Sequence, residues 1–452
     1  MKHQKHYTTE LIIIESNENQ VGRIKIKLEK AKHKDKDFSV FGSSSHKYKV
    51  NDTITKEKLK EWERVNQVLL PEDFFRFLTE VGNGGAGPYY GVYEIDKILT
   101  YTSKNALAAK CVLYPKMPKE EWNRLTEPLT SDENISDDEY DSARDKVFGG
   151  MLCFGTQGCE YDMYIVLTGE YKGRVVYTWD FYPDGHPFFF VYENNFLDWY
   201  ERWLNEIILG YETSWFGNKM PGNENELVLI YQNAEENEIK SEALDGMFKF
   251  CQISQTTINF LIDIIEQKQH RTTALQILCK NTFETGSPYL MEQLKSVNDR
   301  EFLNALKILW WYGKNSDLEK FQKVIHKSLH RIRDVETLRF AGYVMHSYDK
   351  ISIEDFKNFL CHPDPQIRGT AIYATRDCSD KEKKIEIIEQ MLLGDDKDVM
   401  RDYILYWGLV PHSRLLPYYK TAWPDYKDIV NLSKKFYECL EIMKMPIDSL
   451  EP

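Results

Sequence analysis

The sequence lacks long apolar segments and an excess of basic residues, and each absence excludes a class of partner. No segment approaches the ~18 apolar residues of a membrane span. The apolar run near the basic amino terminus, Leu11 to Ile14, is too short for a secretory signal. The chain has 58 Lys and Arg against 71 Asp and Glu, and its formal net charge of −13 argues against nonspecific binding to nucleic acid. We therefore expect a cytoplasmic protein that binds neither membranes nor nucleic acid.

The cysteines are too scattered for a zinc or redox site. The chain has eight, and no two are paired at C-x-x-C spacing. The nearest pair, Cys153 and Cys159, is separated by five residues. Reduced thiols are the default for such cysteines in the cytosol. We expect no metal and no cofactor.

The sequence also lacks a catalytic constellation. It has no G-x-S-x-G, H-E-x-x-H or Walker A motif. His326 and His330 are four residues apart, as metal ligands on a helix are, but no Glu lies between them and no third ligand is implied, so a solvated helix face is expected. Asp180, Asp184 and His186 could suggest acid–base chemistry, although a Pro-Gly turn explains the same composition. We expect no catalytic residue and no enzyme activity.

Three glycines, Gly82, Gly84 and Gly87, have the G-x-G-x-x-G spacing of a dinucleotide loop. Such a loop follows a strand and opens a helix. Here Pro71 starts a helix that Gly82 is expected to end in the left-handed conformation, and residues 92–95 are expected to form a strand. Because the C-terminal end of a helix repels phosphate, no phosphate loop is expected.

Residues 1–45 are expected to form a strand-rich extension. Two strands, Leu11 to Glu15 and Val21 to Leu28, would flank the turn at residues 16–19. The second would place apolar residues on one face and lysines on the other. The lysine-rich continuation to Lys36 is expected to be a solvated edge rather than a binding patch.

Residues 46–212 form the best-marked domain of the sequence. A helix at Leu59, Trp62 and Val65 precedes the Pro71 helix, and strands are expected at 163–167, 174–179 and 188–192. Asn194 or Asn195 would cap a final helix that Gly210 ends. The apolar stripe of that helix is expected to contain Phe196, Trp199, Trp203 and Ile207.

An acidic segment, Thr130 to Lys146, separates the two halves of this domain. It lacks the alternating ligands and the central Gly of a calcium loop. A mobile surface insertion is the simpler interpretation, and an electrostatic docking site is the alternative.

Residues 213–240 have the composition of a linker, with a possible short strand from Leu227 to Tyr231, and residues 241–452 are expected to be α-helical repeats. Four leucines, Leu261, Leu294, Leu360 and Leu393, are spaced by multiples of 33 residues, but the position expected at 327 is a Lys. The segment CHPDPQIRGTAIYA, residues 361–374, resembles a HEAT-type repeat, in which stacked helix pairs present one long surface.

Candidate partner-binding residues cluster at predicted strand ends and turns, where a rigid scaffold displays binding side chains. Ordinary hairpin polarity is the alternative explanation of this cluster. The candidates are Tyr89, Tyr90, Tyr161, Asp180, Tyr182, Asp184 and His186.

Residues 41–210 resemble the SUKH superfamily, which includes a yeast cell-wall-synthesis regulator and bacterial immunity proteins of polymorphic toxin systems. The most specific matches are the Leu-Pro-acid-acid-Phe helix at Pro71, the Gln157-Gly158-Cys159 strand entry and the closing helix at Phe196. The resemblance implies an α+β fold, with helices on a curved multi-stranded sheet, that acts by binding rather than catalysis. The glycine motif that carries the resemblance and allows a tight helix-to-strand crossing contains Gly82, Asn83, Gly84, Gly85 and Gly87.

These observations lead to two hypotheses. The first is an immunity protein that binds and neutralises a cognate toxin; a nuclease, with its basic substrate groove, would suit the acidic chain. The second is an intracellular scaffold or regulatory adaptor that binds one partner through the SUKH-like domain and another through the repeats. The sequence leaves the oligomeric state open.

Overall fold

The computed structural model describes residues 19–98, 104–130, 135–179, 185–346, 352–378, 381–391 and 397–450. The chain divides into two compact units, Met1–Thr257 and Ile258–Pro452. The first contains a four-stranded antiparallel sheet with helices, and the second is helical in its described residues. The predicted fold class, an α+β domain followed by α-helical repeats, is confirmed.

The first unit begins with helices and reaches its sheet only after residue 150. In chain order its elements are α1 (Gln20–Lys34), α2 (Ser43–His46), α3 (Lys56–Asn66), α4 (Glu72–Arg76) with a π-helical turn (Phe77–Val81), α5 (Ile95–Ile98), α6 (Lys104–Leu107), α7 (Lys119–Thr130), α8 (Asp137–Phe148), β1 (Met151–Gly158), β2 (Tyr161–Val166), β3 (Val175–Thr178), β4 (Phe189–Phe190), α9 (Phe196–Leu209), α10 (Glu224–Asn233) and α11 (Asn237–Gly246).

The sheet is a simple meander in the order β1-β2-β3-β4, and both of its faces are buried. Alternate side chains of a strand point to opposite faces. Leu152 and Phe154 accordingly join one apolar cluster with α9, while Met151 and Cys153 join a second with Trp122 of α7. Helices therefore cover the sheet on both sides.

The amino-terminal strand prediction is wrong where the structure describes it. Residues 20–34 form helix α1, capped by the Asn19 side chain, and the other predicted strand, Leu11 to Glu15, lies outside the described residues. Val21, Ile24, Leu28 and Ala31 are buried at helical spacing, so the period is that of a helix. The lysine-rich face is not wholly solvated either, because Lys27 is fully buried.

The helix at Pro71 is confirmed, but its end differs from the prediction. Gly82 has φ 178, which is extended backbone rather than left-handed. The left-handed positions come later, at Gly84 (φ 84) and Gly85 (φ 101). The strand predicted at residues 92–95 is reduced to one isolated bridge between Gly85 and Val92, followed by the short helix α5.

The central hairpin and the closing helix agree with the sequence. β2 and β3 pair antiparallel around the predicted loop, and β4 returns within the predicted segment. The Asn195 side chain caps α9, and Gly210 ends it at φ 73. In α3, Leu59 and Trp62 are buried as predicted, whereas Val65 is 56% exposed.

Two segments predicted as irregular are helical. The acidic segment contains α8, which starts with a capping box between Ser136 and Glu139; its residues 131–134 lie outside the described part. The predicted linker contains α10 and the start of α11, so Leu227 to Tyr231 is helix rather than strand. Polar residues that are also typical of loops form capping boxes here, Ser136 with Glu139 in the first segment and Asn223 with Glu226 in the second.

The segment after α9 is held to the first unit by a buried charge cluster. Arg202 donates to Glu193 and Glu206, each at 2.8 Å, and to the carbonyl of Lys219. Lys249 donates to the Met220 carbonyl at 2.7 Å and lies 3.6 Å from Glu206. Burial lowers the pKa of Lys249 to about 8, although Glu206 opposes the shift. Residues 213–249 therefore belong to the first unit.

The second unit is built from helix pairs. Its main helices, the first of which begins just before the boundary, are α12 (Gln255–Gln267), α13 (Arg271–Asn281), α14 (Phe283–Lys295), α15 (Asp299–Tyr312), α16 (Asn315–Ser328), α17 (Val335–His346), α18 (Ile353–Leu360), α19 (Pro365–Ala374), α20 (Lys381–Met391), α21 (Lys397–Asp402) with a π-helical turn (Tyr403–Trp407), α22 (Leu416–Tyr426) and α23 (Val430–Met443).

The second helices of consecutive pairs, α13, α15, α17, α19 and α21, stack in order, as in a helical solenoid. Leu261, Leu294 and Leu360 are fully buried, and Leu393 lies outside the described residues. The spacing between pairs is not a constant 33 residues, however. At position 327, where the 33-residue spacing predicts a leucine, Lys327 is exposed, and Ile325 is the buried residue of that helix turn. A 3₁₀ turn at 329–331 lengthens this helix pair.

Two side chains of the motif at residues 361–374, Arg368 and Asp364, stabilise the turn before α19. The guanidinium of Arg368 donates to the carbonyls of His362 (2.7 Å) and Pro363 (2.9 Å), and Asp364 caps the amide of Gln366. The arginine thus fixes the turn that leads into α19.

We predict that Glu201 anchors α1 to α9. Its carboxylate accepts from Arg23 and Lys27 at 2.8 Å each, and the Lys27 side chain is fully buried. Glu201→Ala should lower the free energy of unfolding by about 3 kcal/mol, because it leaves two cations without this partner. Urea unfolding and amide exchange of α1 measure the loss. Glu61→Ala, which breaks an exposed pair with Arg64, should have almost no effect.

The same carboxylate gives this prediction a pH profile. Burial opposes its ionisation, but hydrogen bonds from Arg23 and Lys27 and their charges lower the pKa of Glu201. A depressed folded-state pKa contributes stability above the unfolded value, about 4.3, and that contribution disappears as the pH falls through the folded-state value. The stability difference between wild type and Glu201→Gln should therefore shrink below about pH 4.3; a constant difference would contradict the assignment.

Candidate functional site

Three of the predicted binding residues, Tyr90, Tyr161 and His186, lie at one end of the sheet. β1 ends at Gly158, β2 begins at Tyr161, β3 ends at Thr178 and β4 begins at Phe189, so all four strands have a terminus at this end of the sheet. The Gln157-Gly158-Cys159 motif ends β1 and enters the hairpin turn. Loops fixed by paired strands are well suited to display binding side chains.

Three half-exposed aromatic side chains lie at or beside this end. Phe41 is 49% exposed, Tyr90 is 43% exposed and Tyr161 is 50% exposed. The rings of Phe41 and Tyr90 pack edge to face with centroids 5.6 Å apart. Tyr161 pairs with Gly158, against which the Tyr90 ring rests. We call Phe41, Tyr90 and Tyr161 the aromatic sheet-end surface.

Gly158 permits this arrangement. Its φ is +100, and a Cβ there would lie 2.7 Å from the Tyr90 ring. The backbone amide of Tyr90 also donates to the Thr156 carbonyl at 3.4 Å. Thr156 in turn donates through Oγ1 to the Tyr161 carbonyl (2.9 Å) and accepts from the Gly158 amide (3.0 Å). A backbone hydrogen bond to Thr156 and the hydroxyl of the same residue therefore help to set the backbone positions of Tyr90 and Tyr161.

Tyr89 is not a surface residue, in contrast to the prediction. It is only 6% exposed, and its hydroxyl donates to the Phe216 carbonyl at 2.7 Å. Its backbone has φ 56, which turns neighbouring Tyr90 outward while Tyr89 points inward. Adjacent tyrosines look equivalent in a sequence, but only one of them can contact a partner.

The remaining candidates are placed only in part. His186 is exposed, and its carbonyl accepts a hydrogen bond from the indole of Trp179 at 3.1 Å. This bond holds His186 at the same end of the sheet, beside the end of β3. Asp180, Tyr182 and Asp184 lie outside the described residues.

The glycine motif is a structural crossing that supports Tyr89 and Tyr90. Gly85 bridges both Val50 and Val92, and a Cβ at Gly84 would lie 2.7 Å from the Tyr93 carbonyl. The Asn83 side chain accepts from the Ile95 amide at 3.1 Å. These contacts allow neighbouring segments to cross closely.

The ionisable groups beneath the surface include the buried thiol of Cys153 and the partly buried carboxyl of Asp162. Burial raises the pKa of the Cys153 thiol to about 12, and it raises the pKa of Asp162 despite a hydrogen bond from Thr156. A protonated thiol is a poor nucleophile. His326 and His330 do not converge, because His326 lies 3.0 Å from Asp355 and His330 contacts the Lys327 carbonyl.

Sequence reasoning missed Phe41. The residue after it, Gly42, has φ 82 and lies against the Tyr89 carbonyl, so a Cβ at Gly42 would overlap that carbonyl. The available signal was a Phe-Gly pair before a Ser-rich helix start, but Phe41 and Tyr90 are 49 positions apart in the sequence, which hides the contact.

The comparisons with known proteins agree with this architecture. Residues 53–202 match the SMI1 / KNR4 family (SUKH-1). The matched span covers the sheet and ends within α9. No curated protein and no solved structure matches the chain. The family supports a protein-binding role of the immunity type. Among the described helices, none is long and apolar enough to cross a membrane.

We predict that mutation of Tyr89 lowers the stability of the protein and that mutation of its neighbour Tyr90 does not. Tyr89→Phe leaves the buried Phe216 carbonyl without its donor and should lower the free energy of unfolding by about 1–2 kcal/mol. Tyr90→Phe is the matched control and should leave stability within about 0.5 kcal/mol of wild type. Urea unfolding of both variants tests the assignment, and equal losses would contradict it.

Proposed function

We propose that this SUKH-1-containing chain is a non-catalytic, cytoplasmic immunity protein that binds and neutralises a cognate toxin. The aromatic sheet-end surface carries the proposal, because exposed aromatics on a rigid scaffold are typical of protein interfaces. Isolated exposed apolar residues are common on any surface, but Phe41 and Tyr90 contact one another, and Tyr161 lies across Gly158 from Tyr90. Binding at this surface would occlude the active site of the toxin.

Charge supports a basic target. The formal net charge is −13, and Asp137, Asp138 and Asp141 are all exposed on α8. Acidic surfaces steer basic partners and raise association rates, which favours a toxin with a basic substrate groove, such as a nuclease. The aromatic surface would then supply contact energy, and α8 would supply steering.

The first experiment identifies the partner and then maps the surface. The tagged full chain captures the toxin from a lysate of its own organism, and the captured toxin is expressed in a host whose growth then reports protection. We predict that serine substitutions at Phe41, Tyr90 and Tyr161 together abolish protection, since central aromatic contacts are each worth about 2 kcal/mol.

The control is a Val65→Ser, Leu69→Ser variant, which changes two other exposed apolar residues of the same domain, 56% and 69% exposed. It should protect fully. Protection that survives the triple substitution, with both variants folded, would reject the aromatic sheet-end surface as the docking site.

A specific observation favours the scaffold or adaptor as a second candidate function. Aromatic rings form a continuous ladder across the stacked second helices. Trp310 of α15 contacts Tyr343 of α17 (4.9 Å), Tyr343 contacts Tyr373 of α19 (5.8 Å), and Tyr373 contacts Tyr406 (4.9 Å) after α21. We call these residues the aromatic ladder.

The residues at both ends of the aromatic ladder are exposed to solvent. Trp310 and its neighbour Trp311 are each 49% exposed, and Tyr406 is 40% exposed. The guanidinium of Arg376 also stacks on the aromatic ladder, 4.1 Å from the centroid of the Tyr373 ring. Extended repeat surfaces of this kind commonly bind a protein segment. The ladder is therefore the surface through which an adaptor would bind a second protein.

The two functions are separated by substitutions in the full chain. If the chain is an adaptor, serine substitutions at Trp310, Trp311 and Tyr406 should remove one captured protein while the other is retained. If neutralisation needs only the first unit, the same variant should capture the toxin and protect as wild type does. Val430→Ser, at a site that is 79% exposed in the same unit, is the control and should change neither result.

A further inference from the structure

A polar cleft of about 570 Å³ opens between helix ends of the second unit. It is lined by the first turns of α13 and α15 and by Gln293 of α14. Three cationic side chains contribute to it, Lys268, Arg271 and Arg300, and Glu301 is the carboxylate among its lining residues. Neither the aromatic ladder nor the first unit supplies a lining residue.

The amino end of α13 faces this cleft without a side-chain cap. His270 occupies the cap position at φ 53 and makes no capping hydrogen bond, and the next three residues, 271–273, all line the cleft. The first amides of a helix need acceptors and carry partial positive charge. At α15, in contrast, the Asn298 side chain accepts from the amides of Arg300 and Glu301.

Gln293 and Arg271 each contribute to the cleft wall a buried polar atom that has no hydrogen-bond partner among the described residues. Gln293 is only 1% exposed, and its carboxamide oxygen accepts no hydrogen bond there. The Nε of Arg271 is a buried donor that is likewise unsatisfied, although the same guanidinium donates to Glu292 at 2.9 Å and lies 3.7 Å from Glu301. Such atoms are costly unless a ligand or water satisfies them.

Arg271 Nε and the Gln293 oxygen require different hydrogen-bonding groups of a ligand. Arg271 Nε and the α13 amides need an acceptor, and Lys268 and Arg300 favour an anion, whereas the Gln293 oxygen needs a donor. An oxyanion that keeps one hydroxyl meets both requirements. Sulfate, which has no proton at neutral pH, meets only the first.

We propose that this cleft binds a small oxyanion that carries a hydroxyl, with hydrogen phosphate as the simplest example. Its unprotonated oxygens accept from Arg271 and from the amino end of α13, and its P–OH donates to Gln293. The ligand is either free phosphate or a phosphate ester whose organic part supplies the hydroxyl. The site is independent of the partner proposed for the first unit.

Titration calorimetry of the full chain tests the proposal with sodium phosphate and sodium sulfate at equal ionic strength, because salt alone screens the cations. We expect saturable one-to-one phosphate binding and sulfate binding at least about tenfold weaker, which is the expected cost of one unsatisfied buried polar group. Absence of saturable phosphate binding, or equal affinity for the two ions, would overturn the proposal. This comparison needs no variant.

Variants then test which residues of the cleft bind the ion. Arg271→Gln should weaken both ions about tenfold, whereas Gln293→Met should lower phosphate affinity to the sulfate level and leave sulfate unchanged. Lys295→Gln changes charge equally but lies outside the cleft, and it should bind as wild type does. Wild-type phosphate affinity in Arg271→Gln would reject the site.

A third titration distinguishes the sources. Glycerol phosphate that binds more tightly than inorganic phosphate assigns the site to a hydroxylated ester, and the reverse order assigns it to the free ion. Either order supports the shared chemistry, provided that Arg271→Gln weakens the tighter ligand.

Discussion

The first unit depends on one constraint, which is that α9 is buried over most of its surface and that three of its four charged residues lie inside. Glu201, Arg202 and Glu206 are each less than 10% exposed. Buried charges are tolerated only when they are paired and hydrogen-bonded. Glu201 takes its partners from α1, and Arg202 and Glu206 take theirs from Glu193 and from residues 219–249. The helix therefore recruits chain from both sides of residues 53–202, and the folded unit is larger than the family match.

This constraint also explains how the aromatic sheet-end surface is displayed. Tyr89 is anchored by the carbonyl of Phe216, which lies in the segment that the Arg202 cluster holds in place. The anchor for Tyr89 fixes the turn from which Tyr90 projects toward Phe41. A rigid, half-exposed aromatic pair loses little conformational freedom on binding, which is what a tight protein interface requires.

Local patterns predicted the elements whose signals are local. The cap at Asn195, the end at Gly210 and the β2–β3 hairpin were all readable, because caps and turns depend on neighbouring residues. The amino-terminal strand failed because Ile24, Ile26 and Leu28 alternate, and only the distant partner Glu201 makes Lys27 an interior residue of a helix. The aromatic sheet-end surface could be recognised only in part from the sequence for the same reason: Tyr90 and Tyr161 lie at recognisable turns, but Phe41 meets Tyr90 only in three dimensions. The polar cleft has no sequence motif, since its residues come from three helices.

The most direct test of the account is amide hydrogen exchange of the full chain, measured free and bound to its captured toxin. If the aromatic sheet-end surface is the docking site, protection should appear around residues 41–42, 89–91 and 156–162, while the helices of the second unit exchange as in the free chain. Protection confined to α8 or to the aromatic ladder, with the sheet end unchanged, would contradict the central claim.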